Sequence, residues 1–260
     1  MKIIVCVKQV PDTTEIRLDP VNGTLIRDGI PSVMNPDDKA GLEQALRLRE
    51  SVGGDVTVLS MGPPQAEVML REALAMGADR AILLSGRAFA GSDTLATSSA
   101  LAAAIRKLDY DLIITGRQAI DGDTAQVGPQ IAEHLDIPNV SYAEQVTPID
   151  GGIIVKRSFE DRYQIQRVMF PCLITALGEL AHPRYMTPGA IFDAYRVHTI
   201  EQWSDGDIEA DAKRLGLGGS PTRVKKSFPK STKPAGVVTR AEGRQAADII
   251  VAKLKERFLI

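Results

Sequence analysis

Residues 112–135 read Leu-Ile-Ile-Thr-Gly-Arg-Gln-Ala-Ile-Asp-Gly-Asp-Thr-Ala-Gln-Val-Gly-Pro and then resume an amphipathic pattern. A β-branched run leaves a sheet, a polar glycine-containing loop follows, and a helix begins. That order makes an anion site, because the first turn of a helix presents unpaired backbone N–H groups and partial positive charge, both of which a phosphate satisfies. Gly116 and Gly122 would keep Cβ atoms out of its path, and Thr124 and Gln126 would add side-chain hydrogen bonds. The same residues also fit plain capping of a surface helix by Asp123 or Thr124.

Three further loops leave β-branched runs through short polar residues and glycines: Cys6-Val7-Lys8-Gln9-Val10-Pro11-Asp12-Thr13, Met61-Gly62-Pro63-Pro64, and residues 90–98, which hold Asp93, Thr94, Thr97 and Ser98. Asn35-Pro36-Asp37-Asp38 opens another helix nearby, with Asn35 placed to cap it and Pro36 at its first position. In an open α/β sheet, ligands occupy the crevice outside the carboxyl ends of the strands. Each loop alone is a turn; together they favour a nucleotide crevice.

The catalytic signatures point elsewhere by their absence. There is no Walker A pattern, no GxSxG elbow and no GxGxxG after the first strand, and residues 216–221 are glycine-rich but run into basic coil. No nucleophile sits beside a base, so any chemistry would come from a bound cofactor. Cys6 and Cys172 lie in apolar runs, and His134, His182 and His198 lack ligand spacing, so no metal is assigned.

The elements that must position these loops alternate. Residues 2–7, 55–60, 80–84 and 111–115 read as strands, and 36–51, 64–76, 94–108 and 124–135 as helices, with Leu42, Ala45 and Leu46, or Val68, Ala73 and Met76, on apolar sides and Gly77 as a C-cap. This predicts an α/β fold with a doubly wound, mostly parallel sheet. After Asn139 a hairpin (145–148 and 152–157, turning at Asp150-Gly151), then 163–169 and 173–176, predict an antiparallel extension. From Glu201 the patterning fades into an acidic stretch (Glu201, Asp205, Asp207, Glu209, Asp211) and a basic one (Arg223, Lys225, Lys226, Lys230, Lys233, Arg240). This is either a solvated arm or one that packs on a partner. Ala247, Ile250, Val251, Leu254 and Phe258 then share a helical face. The expected division is residues 1–200, a nucleotide-binding domain, and 201–260, a partner-wrapping arm with its terminal helix.

The 260 residues carry 31 basic and 33 acidic side chains, 44 % hydrophobic and 25 % charged. That composition fits a globular chain with its own core, and a net charge of −2 gives no field for nucleic acid or an anionic membrane. The apolar run at the N-terminus is broken by Lys8, and nothing approaches the roughly 18 apolar residues of a membrane span. Neither a signal peptide nor stable membrane insertion is expected, and the expected location is cytoplasmic.

Val7-Lys8-Gln9-Val10-Pro11-Asp12, Met34-Asn35-Pro36, residues 73–80 (Ala-Leu-Ala-Met-Gly-Ala-Asp-Arg), the Gly116-to-Gly128 loop and Pro183-Arg184-Tyr185 resemble, in order and spacing, the beta subunit of electron transfer flavoproteins. The resemblance implies an adenine-nucleotide-binding, flavodoxin- or Rossmann-like fold, with a nucleotide site in this chain. It also implies a heterodimer with an alpha subunit that carries its own FAD, the arm and terminal helix contacting that partner. Val10-Pro11-Asp12-Thr13, Met61-Gly62-Pro63-Pro64, residues 93–98 and residues 121–129 resemble the electron-bifurcating branch. There the site holds a second FAD that takes hydride from NADH, and electrons divide between the alpha-subunit flavin and a low-potential acceptor, ferredoxin or flavodoxin. In the ordinary branch the site holds AMP.

Carried over, Cys6, Asn35, Met61 and the run Asp121, Gly122, Asp123, Thr124, Ala125, Gln126, Val127 would line the adenosine and diphosphate, with Val7, Lys8, Asp38, Gly62, Gly116, Arg117 and Gln118 also in the cofactor site. Thr94 and Thr97, with Ser98 beside them, would face the flavin. The family's docking loop toward acyl-CoA dehydrogenase-type partners falls on residues 175–185, with Leu180 as a protruding anchor, although Leu177-Gly178-Glu179 departs from the usual pattern. A stand-alone nucleotide-binding regulatory module of similar fold is the remaining alternative.

Overall fold

A computed structural model describes residues 1–12, 31–225 and 236–260; Thr13, Lys226, Lys230 and Lys233 lie outside them. The first half runs β1 (Lys2–Cys6), β2 (Gln9–Pro11), β3 (Ser32–Met34), α1 (Pro36–Val52), β4 (Asp55–Met61), α2 (Glu67–Met76), β5 (Arg80–Leu84), α3 (Thr94–Ile105), β6 (Leu112–Gly116) and α4 (Val127–Leu135). The second half runs β7 (Asn139–Ile149), β8 (Gly152–Phe159), β9 (Arg162–Met169), β10 (Cys172–Ala176), α5 (Pro188–Arg196), β11 (Ile200–Trp203), a single turn α6 (Gly216–Gly219) and α7 (Gly243–Glu256).

Nine strands form one sheet in the order β11-β5-β4-β1-β6-β10-β7-β8-β9, while β2 and β3 make a separate antiparallel pair. From β11 to β7 all neighbours are parallel, and the alternating pattern predicts this for β1, β4, β5 and β6. Strands buried on both faces need apolar side chains at both parities. Ile3, Val5 and Val7 accordingly pack with Leu42, Leu46 and Leu70 under α1 and α2, whereas Ile4 and Cys6 pack with Ala100, Leu101, Ile105 and Ile131 under α3 and α4. Each large aliphatic buried this way contributes about 1.5–3 kcal/mol.

Helix ends follow the glycines: α1 stops at Gly53 (φ 75°) and α2 at Gly77 (φ 120°), backbone that L-residues rarely adopt. Several helical expectations change. Residues 64–66 form a 3₁₀ turn, so α2 begins at Glu67, and Val68 is 62 % exposed while Met69, Leu70, Ala73 and Met76 are buried. Positions 68 and 73 are five apart, about 140° around the axis, and never shared a face. Helix α3 ends at Ile105, not 108.

The hairpin β7–β8 turns at Asp150-Gly151 and β9 extends it, all antiparallel. Residues 173–176, expected in that extension, instead form β10, parallel to β6 on one side and β7 on the other. Every β10 residue is buried, which suits an interior position. Tyr142 (φ 62°) breaks β7 where its pairing passes from β10 to β8, and its N–H goes to Thr175 Oγ1 at 3.0 Å.

The expected boundary at 200/201 also moves. Strand β11 pairs with β5, Glu201 bonds Arg80, Asp207 caps Ser204, Asp211 accepts from the Lys213 N–H, and Ile208 and Leu215 are buried, so one compact unit runs to Lys225. Three of the acids in that stretch, Glu201, Asp207 and Asp211, are thus local caps and pairs. The described residues 236–260 belong to a second unit, in which Ile250 and Val251 of α7 are 59 % and 42 % exposed and Phe258 lies past the helix end. Among the described residues no helix is long and apolar enough to cross a membrane.

Candidate functional site

In the sheet order β4-β1-β6, the chain winds one way from β1 and then the other, so the loops leaving β1 and β6 part at a topological switch point. The first turn of α1 closes the base of that gap. Asp38, 7 % exposed, accepts the Lys8 N–H on Oδ2 at 2.8 Å and the Gly116 N–H on Oδ1 at 2.9 Å. Burial pushes its carboxyl up to about 7 despite those N–H bonds and a bond from Asn35. A Cβ on Gly116 would lie 2.2 Å from Asp38 Oδ1, so that glycine makes room for Asp38.

Asn35 does not cap α1. Fully buried, it donates from Nδ2 to the Gln118 carbonyl at 2.9 Å and accepts the Ile120 N–H on Oδ1 at 3.1 Å. Asn35 and Asp38, both expected in the site, thus bond the backbone of the segments that leave β1 and β6.

That loop, residues 117–126, is mostly exposed and tied down by side chains. Lys8 Nζ bonds Asp121 Oδ1 at 2.6 Å, Gln118 Nε2 donates to Asp123 Oδ1 at 2.8 Å, and Thr94 Oγ1 donates to Gln126 Oε1 at 2.9 Å. Asp123 (φ 48°) and Ala125 (φ 52°) both take left-handed backbone, a strain of about 1–3 kcal/mol each that the cross-links hold in place. Gly122 has nothing within 4 Å of a would-be Cβ among the described residues.

Helix α4 starts at Val127, three residues later than expected, and neither Asp123 nor Thr124 caps it; Gln126 holds the N-cap position without a side-chain capping bond. The start of α3 differs. There Asp93 accepts from the Ala96 N–H at 3.0 Å and from the Thr222 hydroxyl at 2.7 Å, and although burial alone would raise its carboxyl, these bonds hold it below the usual carboxylate range. Of these two helix starts, that of α3 is closed by the Asp93 carboxylate and that of α4 has no side-chain cap. Gly128 lets α4 sit close to the sheet, since a Cβ there would lie 2.4 Å from Thr115 Oγ1 and 2.9 Å from Thr175 Cγ2.

The remaining site residues divide. Cys6 and Val7 are buried in the core, and burial, with Asp38 adding to it, pushes the Cys6 thiol up to about 12. Met61 packs toward the α3–α4 core and the Gly62 N–H bonds the Leu84 carbonyl, both half-buried at the β4 exit; Thr97, Arg117, Ala125 and Val127 are half-buried too. Ser98 turns away from the crevice: fully buried, it donates to the Leu95 carbonyl and lies 3.2 Å from both Gln130 Oε1 and His134 Nε2. With Thr94–Gln126 these contacts form a polar seam between α3 and α4 at one-turn spacing, which single-helix patterning does not reveal.

Leu180 is the clearest correction in the docking loop. Its N–H turns back to the Leu177 carbonyl and its side chain, 7 % exposed, joins the core, whereas Tyr185 is 95 % exposed. Among the described residues no three His, Cys, Asp or Glu side chains gather as a metal would require.

Fold and rim define a doubly wound α/β protein with an open helix start at its switch point. A family model described as the electron transfer flavoprotein domain matches residues 22–207. The chain is 55 % identical over 261 residues to the electron transfer flavoprotein subunit beta of Clostridium acetobutylicum, with 100 % of each covered. It is 51 % identical over 263 residues to the caffeyl-CoA reductase-Etf complex subunit CarD of Acetobacterium woodii, and 47 % over 270 residues to the acryloyl-CoA reductase electron transfer subunit gamma of Anaerotignum propionicum, again with 100 % of each covered. The chain belongs to the electron transfer flavoprotein family, as a beta subunit acting in electron transfer.

Proposed function

We propose that this beta subunit holds FAD in the crevice above Asp38, works in the cytoplasm as a heterodimer with an alpha subunit, and draws electrons from NADH. An FAD bound there would accept hydride from NADH and supply electrons to the alpha-subunit flavin and to ferredoxin or flavodoxin. The observation that carries the proposal is the start of α4, which has no side-chain cap, joined through Thr94 and Gln126 to a start of α3 already closed by Asp93. A diphosphate is the group that satisfies such an end.

In this assignment the N–H groups of Val127 and Gly128 and the amine of Lys8 meet the diphosphate, the open backbone at Gly122 and Thr124 borders the adenosine, and Thr94 and Thr97 border the flavin. Asp38 and Asn35 hold the loop in shape. The names of the Acetobacterium and Anaerotignum relatives support a partner of acyl-CoA dehydrogenase or reductase type. Its docking would use the 175–185 segment, with Tyr185 as the apolar side chain that reaches solvent. One observation favours AMP as a second reading: Thr94 and Gln126 are bonded to each other, and a ligand that ended at its phosphate would leave that bond intact.

Thr124→Trp or Asp121→Trp in the heterodimer tests the site. Loss of one nucleotide per dimer, with the alpha-subunit flavin kept, is the expected result; full nucleotide content in both variants would place the ligand elsewhere.

A further inference from the structure

The glycine-rich residues 216–221, which run into basic coil in the sequence, lie against the loop that leads into α3. Gly216 (φ 58°) comes so close that a Cβ there would sit 2.4 Å from the Ala88 carbonyl oxygen, and the Leu217 N–H donates to the Ala90 carbonyl at 2.9 Å. Ser220 is 6 % exposed; its hydroxyl donates to the Gly216 carbonyl at 2.7 Å and accepts the Asp93 N–H at 2.8 Å. Thr222 completes the contact, giving Asp93 Oδ2 both its N–H at 3.0 Å and its hydroxyl at 2.7 Å.

Asp93 therefore does more than cap a helix. Its Oδ1 accepts the Ala96 N–H, as a cap does, while its own N–H and its Oδ2 bond residues 127 and 129 positions further along the chain, shortly before the compact unit ends at Lys225. The next residue is Thr94, whose hydroxyl bonds Gln126 at 2.9 Å. The first turn of α3 is thus held from two sides, by the start of α4 through Gln126 and by residues 220–222 through Asp93.

We infer that Ser220 and Thr222 are positioning residues for the flavin side of the crevice, acting through Asp93. The inference rests on the nucleotide reading given above, in which FAD reaches Thr94 and AMP does not. Once the Thr94 hydroxyl turns to a flavin, its bond to Gln126 is gone and the turn loses its hold on the α4 side. Besides the packing of Ala96 and Ala100 behind it, Asp93 gripped by Ser220 and Thr222 is then what keeps Thr94 in place. With AMP in the crevice the Thr94–Gln126 bond persists, so the grip on Asp93 can be released without the ligand sensing it. The Leu217–Ala90 bond ties the same two segments and is untouched by changes at Ser220 or Thr222, so such changes release Asp93 while the segment stays seated.

The test titrates FAD and, separately, AMP into the heterodimer stripped of the crevice nucleotide with its alpha-subunit flavin kept, for wild type, Thr222→Val, Thr222→Ser and Ser220→Ala. Thr222→Val keeps the shape and the N–H but removes the hydroxyl, and is expected to weaken FAD binding at least about fivefold and AMP binding less than about twofold. Thr222→Ser restores the donor and should return FAD binding to within about twofold of wild type. Ser220→Ala should repeat the pattern of Thr222→Val; if that buried change does not fold, the two Thr222 variants carry the comparison. Equal loss of FAD and AMP affinity in Thr222→Val would mark general loosening, unchanged FAD affinity an idle contact, and no recovery in Thr222→Ser a role for bulk alone; each overturns the inference. If wild type takes up neither nucleotide, or AMP alone, the reading of the crevice has failed, and the inference with it.

Discussion

Asp38 Oδ1 accepts the backbone N–H of Gly116 at 2.9 Å, joining residues 78 positions apart across the switch point of the sheet. Its second oxygen accepts from Lys8, so one side chain fixes the departure of both the β1 and β6 loops. Asp38→Ala leaves two inward N–H groups unpaired, each costing about 1–3 kcal/mol. The urea midpoint of the variant should fall accordingly, with weaker nucleotide retention; a change under about 0.5 kcal/mol, the size of an ordinary surface substitution, would show that the bonds are dispensable.

The same carboxyl gives stability a pH dependence of definite sign. Its ordinary value, 3.8, rises to about 7 in the fold, so between those limits the folded chain keeps a proton that the unfolded chain has released. The stabilising contribution is full below 3.8 and is lost as pH rises through about 7. Glu43 works in the opposite direction. Burial alone would raise its carboxyl, but bonds from Arg184 and Arg47 hold it below 4.5, and its contribution disappears on acidification. The Asp38 share is isolated by comparing urea stability of wild type and Asp38→Asn from pH 4 to 7: wild type should lose ground steadily against the variant, and parallel profiles would contradict the assignment.

Two glycines in the same loop region should respond differently. At Gly128 a methyl group meets Thr115 Oγ1 at 2.4 Å, so Gly128→Ala must push α4 off the sheet, at about 1–3 kcal/mol, and weaken nucleotide binding. Gly122→Ala meets nothing within 4 Å and should leave thermal stability unchanged. Equal melting temperatures for the two variants would count against the close approach of α4.

Much of this was legible in the residues. The apolar runs at β1, β4, β5 and β6 are strands because burial on both faces demands side chains of one kind at every position, and such runs read clearly. Two contacts also join residues that the sequence groups at these loops, Lys8 with Asp121 and Thr94 with Gln126. What remained hidden was which polar side chains spend themselves on the protein. Asn35 before Pro36 looks like a cap, yet its partners lie 83 and 85 residues away. Ser98 looks like a ligand donor, yet α4 claims it. Leu180 looks like an anchor, yet a turn folds it inward. A second acid after Asn35-Pro36 was the available signal: acidic side chains suit a helix start, but two in succession exceed what one start needs.

The FAD and AMP content of the heterodimer tests the central proposal most directly. The chain is purified with its alpha subunit, bound ligands are released with acid and counted, and the flavin absorbance is followed on addition of NADH. Two FAD and no AMP per dimer, with bleaching by NADH, is the expected result. One FAD and one AMP, with no response to NADH, would contradict it.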